Sequence, residues 1–349
     1  RDRSVSRGLG DVYKRQNPNS TMTEQLKLKL NDSKATRWGA LVIVAFTMMA
    51  AYYVNDVVAP LKTMLETDLA WSSTDFGFFT GGYSFLNVFF LMLIWGGLIL
   101  DRFGIRFTGK LATILMVGGT ALEYYAMTGL AGADATLFGI NEIFGYKTGV
   151  FVAFAGYSIF GVGAEVAGIT VSKIIAKWFK GKELATAMGV QVALARIGSQ
   201  AGYAVAIPLA RAFGISTPVL LGLVLLLGGM IAFFVFAVMD KKLDKQMEAA
   251  AIAAGTEDEE EKFSFKDVKN ILVNPGFWLI ALLCVLFYSC VFPFQKFASE
   301  LMIIKYGINE NVAGTFAGLP ALGALILTPI FGGFIDKRCL LYTSDAADE

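Results

Sequence analysis

Two side chains carry full charge deep inside apolar segments. Glu165, in Gly161-Val162-Gly163-Ala164-Glu165, lies about 18 Å of helix from Lys177, and Arg196, in Ala193-Leu194-Ala195-Arg196-Ile197-Gly198-Ser199, lies about 21 Å from Lys182. An ionisable group at bilayer depth costs about 2.5–3.5 kcal/mol on insertion scales, so each is a functional candidate. One reading is a direct salt bridge between consecutive antiparallel helices. The other holds the pair slightly apart with a zwitterion between them. A carboxylate receives an ammonium and a guanidinium clamps a carboxylate bidentately, which is what an amino acid or short peptide requires. Charge chemistry alone leaves both readings open. Glycines 161, 163, 168, 198 and 202 would leave room beside the two side chains.

Asp56 and Glu123 fall toward the outer ends of their segments, where either could take up a proton or could reach water at the interface. Tyr52, Tyr53, Tyr83, Tyr157 and Tyr288 could line a cavity, although aromatic residues at helical spacing also serve packing. Other chemistry is missing. The chain has no histidine and three cysteines, no His-Glu-x-x-His pattern and no paired intramembrane aspartates, so neither a metal site, a resident cofactor nor an embedded enzyme is expected. A net charge of +1 gives no basis for a nucleic-acid partner.

These residues must be positioned by membrane helices. With 55% hydrophobic residues and a mean hydropathy of +0.58, the composition is that of a multi-spanning membrane protein embedded in lipid. A span needs about 20 mostly apolar residues. On that basis spans are expected near Trp38–Pro60, Phe76–Leu100, Thr108–Leu130, Thr148–Ser172, Leu184–Leu209, Thr217–Met239, Pro275–Ala298 and Val312–Ile335. Lys34, Arg37, Arg102, Arg106, Lys110, Lys177, Lys180 and Lys182 crowd alternate connections, with more lysines after the sixth span. By the positive-inside rule the N-terminus is cytoplasmic, and a cell (inner or plasma) membrane is the expected location.

The stretch Gly96-Gly97-Leu98-Ile99-Leu100-Asp101-Arg102-Phe103-Gly104-Ile105-Arg106 joins the second span to the third, and Gly332-Gly333-Phe334-Ile335-Asp336-Lys337-Arg338 repeats it in short form. The first copy resembles the loop signature Gly-x-x-x-Asp-Arg-x-Gly-x-Arg of the major facilitator superfamily. That resemblance implies an all-α membrane protein with the major facilitator fold: an N-terminal six-helix half and about two helices of the C-terminal half. It also implies gating roles for Gly97, Asp101, Arg102, Gly104, Arg106, Asp336, Lys337 and Arg338. Asp101 would sit at a helix C-terminus, where the macrodipole disfavours an anion, with Arg102 and Arg106 the nearest compensating charges. Gly97 and Gly104 would let helices approach closely.

The expected organisation is a cytoplasmic N-terminus (17–37), a six-helix bundle (38–239), a cytoplasmic linker (240–272) containing the acidic run Glu257-Asp258-Glu259-Glu260-Glu261, and the start of a second bundle (273–338). Residues 1–16 and 339–349 read as foreign. One codon choice for Asp11-Val12-Tyr13-Lys14-Arg15-Gln16 is, on the opposite strand and shifted by one base, a coding sequence for Cys339-Leu340-Leu341-Tyr342-Thr343-Ser344. Both are recognised as translated transposon ends of a sequencing library, so the natural chain is expected to continue past Arg338.

The runs Phe160–Glu165, Lys177–Leu184, Leu194–Ser199 and Phe287-Tyr288-Ser289-Cys290-Val291-Phe292-Pro293-Phe294, with Lys305-Tyr306-Gly307, resemble the lysosomal dipeptide transporter branch of that superfamily, as a prokaryotic homologue. The resemblance implies that Glu165 binds a peptide's amino end and Arg196 its carboxyl end, with Tyr288 in the substrate-binding set. The expected function is alternating-access transport, active or facilitative, of dipeptides or related zwitterions, with Asp56 and Glu123 as candidate proton-coupling residues. An accessory subunit is known in the animal branch. The rival expectation is an organic-anion (monocarboxylate or dicarboxylate) carrier bound through Arg196. A non-transporting receptor is a further alternative.

Overall fold

The computed structural model describes residues 30–131, 136–137, 139–254 and 272–345, without side chains at 250–254, 311 and 335–345. Residues 1–29, which include the N-terminal stretch read above as foreign, and 255–271, which include the acidic run, lie outside the described residues.

Helix α1 (Lys34–Val57) starts where the Ser33 side chain accepts from the Thr36 amide. Pro60 then opens a short 3-10 turn, Ala59–Leu61, which leads into α2 (Lys62–Asp68). Helix α3 (Ser73–Phe89) opens on a capping box, in which Ser72 and Asp75 each satisfy the other's backbone amide. The expected span 76–100 is not one helix. It breaks at Phe90–Leu91, where Leu91 adopts φ 50° and α3 meets α4 (Met92–Thr128) at 58°. Asn87, Val88, Phe89 and Phe90 are all weak helix formers, so little local propensity opposes the break.

Inside α4, Gly104 has φ 74° and ψ 172°, a region open essentially to glycine alone, and it separates the end of one span from the start of the next. Between α4 and the next helix the chain forms a small hairpin, β1 (Glu142–Ile143) with β2 (Tyr146–Lys147), in an otherwise helical fold. Phe144 and Gly145 form its turn, both with positive φ as a two-residue hairpin of this hand requires.

Helix α5 (Thr148–Trp178) and α6 (Leu184–Phe213) follow, then α7 (Thr217–Ala254). Polarity placed a linker from residue 240, but α7 remains helical to Ala254, so the first part of that segment extends the sixth span. Helix α8 (Pro275–Tyr306) is capped by Asn274 and ends at Gly307 in the left-handed region. The eighth expected span corresponds to the membrane-crossing stretch Val312–Phe334, in which Gly318 alone separates α9 (Glu310–Ala317) from α10 (Leu319–Asp345).

Five of these helical stretches are long and apolar enough to cross a membrane, and the bent α3–α4 pair makes a sixth. Helix α6, with 30 residues, has the length but not the hydropathy, because Arg196, Arg211, Gln191 and Gln200 interrupt it. Its companions bury it instead: α1 lies along one side and α10 along another. The Gly198 Cα faces the Met49 carbonyl of α1 with no space for a methyl group. Close backbone approach of this kind is how helices associate where lipid is as apolar as leucine. On α8, Trp278, Leu279, Leu283 and Leu286 are all more than half exposed.

Candidate binding cavity and charge network

A cavity of about 520 Å³ lies between α1, α3, α5 and α8. Glu165 on α5 lines it, half-buried, and its Oε1 accepts a hydrogen bond from the Tyr83 hydroxyl of α3 at 2.8 Å. Tyr83 is fixed in turn by an aromatic stack: Tyr157 lies 5.6 Å from its ring, and Phe160 stacks on Tyr157 at 5.8 Å. Tyr52 of α1 also lines the cavity, and the Arg196 guanidinium sits 5.0 Å from its ring centroid. Such a stack holds the planar cation without neutralising it.

Arg196 itself is one ring behind the cavity wall. Among the described residues it forms no ion pair with Glu165, so the direct salt bridge is not made in this conformation. Tyr288 is exposed and outside the cavity lining; its ring stacks at 5.1 Å on Phe292, which does line it. The glycines do not supply the space expected of them. A methyl group on Gly161, Gly163 or Gly202 would run into the carbonyl of Tyr83, Ala112 or Tyr53 respectively, so these glycines serve helix contact, and Gly168 is the member of the set that borders the cavity.

Asp56 and Glu123 are buried, not interfacial. Neither oxygen of Glu123 has a hydrogen-bond partner among the described residues. Asp56 accepts from Asn55 at 2.9 Å and lies 3.9 Å from Lys296. Lys296 escaped the sequence reading because it stands two residues before the end of an expected span, where a lysine can reach water. Here it lines the cavity and donates to the Asn55 carbonyl at 2.6 Å and to the Tyr157 hydroxyl at 3.1 Å. The signal was present: Phe292-Pro293-Phe294-Gln295-Lys296 puts a charge one turn after a proline inside an apolar helix.

A second polar centre gathers around the signature. Asp101 pairs with Lys173 of α5 at 2.8 Å, and neither Arg102 nor Arg106 serves it. Arg102 instead lies over the Phe103 ring at 5.6 Å. Arg106 turns toward α7, 3.4 Å from Asp240 and in contact with Asp244. Lys177 meets the same two aspartates, at 2.8 Å for Asp240, whose carboxylate also accepts the Trp178 indole N–H at 3.1 Å. Asp240 is fully buried, so its three donors replace the water it has lost. Gly97 and Gly104 have open space where a Cβ would stand, and it is Gly96 that packs closely, against Val166. Asp336, Lys337 and Arg338 are helical, with side chains outside the described residues.

Nearby, Glu183 accepts from Arg37 at 2.9 Å and lies 3.6 Å from Lys34. The Arg37 hydrogen bond holds the Glu183 carboxyl below the usual carboxylate range. At the other end of the helices, Lys62 joins Glu66 at 2.9 Å and Glu300 of α8, while Arg211 pairs with Glu310 of α9.

Apolar helices packed through glycines around a cavity with few charged side chains make this an integral, multi-pass membrane protein. The family model for the Major Facilitator Superfamily matches residues 41–345, and the chain belongs to that superfamily. It is similar to the human lysosomal dipeptide transporter MFSD1, with 26% identity over 317 residues, covering 87% of this chain and 62% of that protein. The orangutan (Pongo abelii) protein of the same name is 26% identical over 311 residues, or 85% of this chain and 60% of its own length. The chicken (Gallus gallus) protein of that name is 31% identical over 195 residues, covering 52% and 42% respectively. The chain thus spans about 60% of the length of the first relatives.

Proposed function

We propose that the protein carries dipeptides or related zwitterions across a membrane by alternating access. The observation that supports this reading best is the cavity, whose wall presents the Glu165 carboxylate, oriented by Tyr83, with the Arg196 cation one ring behind. Glu165 receives the substrate's ammonium and Arg196 its carboxylate, reached when Tyr52 turns aside; Tyr288 joins at the rim. A cavity of about 520 Å³ is within the usual range for small-molecule sites. The similarity to dipeptide transporters over more than four-fifths of the chain supports the same substrate class.

In this reading residues 38–239 form one six-helix half and residues from 273 onward begin the other, joined through 240–272. The signature residues Gly97, Asp101, Arg102, Gly104 and Arg106, with Asp336, Lys337 and Arg338, form the gate on the cytoplasmic side, where the N-terminus also lies, in the cell membrane. Asp56 and Glu123 are the proton-coupling candidates.

Transport after Glu165→Gln tests the substrate class. A dipeptide carrier loses substrate capture, because an amide cannot neutralise the incoming ammonium. An organic-anion carrier keeps most of its activity, and that result would replace the zwitterion reading with the anion one.

A further inference from the structure

The cavity wall contains one carboxylate and one ammonium, and they come from different helices. Glu165 belongs to α5 and Lys296 to α8. Two N–H donors of Lys296 go to neutral acceptors, the Asn55 carbonyl and the Tyr157 hydroxyl. Of its two carboxylate neighbours, Asp56 is 3.9 Å away, beyond hydrogen-bond reach, and already accepts from Asn55, while the buried Glu123 makes no hydrogen bond to it. The Lys296 side chain is 15% exposed. It is therefore a cation held in place by dipoles and only loosely neutralised, in surroundings of low dielectric. A bound anion gains most from such a charge. Phe292 and Pro293, one turn earlier, wall the same cavity, and the edge-to-face contact of Phe297 with Phe76 at 5.9 Å fixes this part of α8 against α3.

We propose that Lys296 is a substrate-binding residue, taking the substrate carboxylate together with Arg196 so that the carboxylate lies between a cation from α6 and a cation from α8. The inference rests on the zwitterion reading and adds a requirement to it. Glu165 is on the body made by α1, α3 and α5, and Lys296 is on the far side of the residue 255–271 segment. A substrate with both charges ties the two sides together, whereas a substrate lacking either charge holds one side alone. The carboxylate is thus recognised twice, and discrimination against its neutral analogue depends on α8.

The test is a thermal-shift titration of the full-length protein with alanylalanine, its C-terminal amide and its N-acetyl derivative. For the unaltered protein the free dipeptide should bind about 10–100-fold more tightly than the amide, the range expected for a charge-assisted contact. Lys296→Gln should weaken the free dipeptide by a similar factor and leave the amide unchanged, so that discrimination shrinks. Lys296→Arg should restore most of it. Full discrimination against the amide in Lys296→Gln overturns the assignment while leaving the zwitterion reading intact, provided the N-acetyl derivative still binds weakly. Equal stabilisation of the unaltered protein by free and amidated dipeptide overturns it without any variant. If none of the three ligands stabilises the unaltered protein, the zwitterion reading and this inference fall together.

Discussion

The hydroxyl of Tyr83 lies 2.8 Å from Glu165 Oε1, and that hydrogen bond aims the carboxylate at the cavity. Removing the hydroxyl leaves the cavity's shape intact, because Phe fills the same stack against Tyr157 and Phe160. Tyr83→Phe should therefore fold normally and weaken dipeptide binding by about 1–2 kcal/mol, roughly five- to thirty-fold, read by titration at constant pH. Unchanged affinity would mean that Glu165 needs no orienting group.

The buried carboxylate of Asp240 accepts from Arg106, Lys177 and Trp178, whereas Asp244 serves two of the same cations from a position that is 40% exposed. Breaking a buried pair on one side costs about 3–5 kcal/mol, because the abandoned charges stay desolvated; an exposed pair is worth about 1 kcal/mol or less. Asp240→Asn should consequently lower the midpoint of thermal unfolding in detergent far more than Asp244→Asn. Similar losses for the two variants would show that the centre is hydrated.

Gly97 and Gly104 separate space from conformation, since a methyl group would meet nothing at either position. Gly104 has φ 74°, so Gly104→Ala should cost on the order of 1–3 kcal/mol through backbone strain alone. Gly97 is in a regular helix, and Gly97→Ala should be neutral or stabilise by up to about 1 kcal/mol. Comparing the two unfolding midpoints checks both.

Glu183 supplies a pH dependence of definite sign. Its carboxyl is held low by the Arg37 hydrogen bond, so the pair's stabilising contribution is complete above the ordinary carboxylate value of about 4.3 and is lost as pH falls through the lower folded value. The stability difference between the unaltered protein and Glu183→Gln should be constant from about pH 5 upward and shrink toward pH 3. Exposure of Glu183 to solvent keeps the effect small.

Much of the architecture was legible because membrane helices must satisfy their backbones internally, leaving hydropathy and charge to mark their limits. Glu165 and Arg196 stood out for the same reason. What escaped depended on packing between distant segments. Lys173 rather than Arg106 serves Asp101, because α4 turns at Gly104 and carries Arg106 toward α7. Asp240 looked like the start of a solvated linker, yet α7 continues and buries it under Trp178. Lys296 lies near the end of an expected span and drew no reading, and only the approach of α8 to Asn55 and Tyr157 places it on the cavity. The break at Leu91 requires a left-handed backbone at a leucine, for which the sequence offers no glycine.

The central claim is zwitterion transport through the Glu165 cavity, and counterflow in liposomes measures it directly. Vesicles containing the full-length protein and preloaded with unlabelled alanylalanine should take up labelled alanylalanine transiently above its equilibrium level. Glu165→Gln should abolish that overshoot. Labelled uptake no greater than in protein-free vesicles, or a full overshoot with Glu165→Gln, would contradict the account.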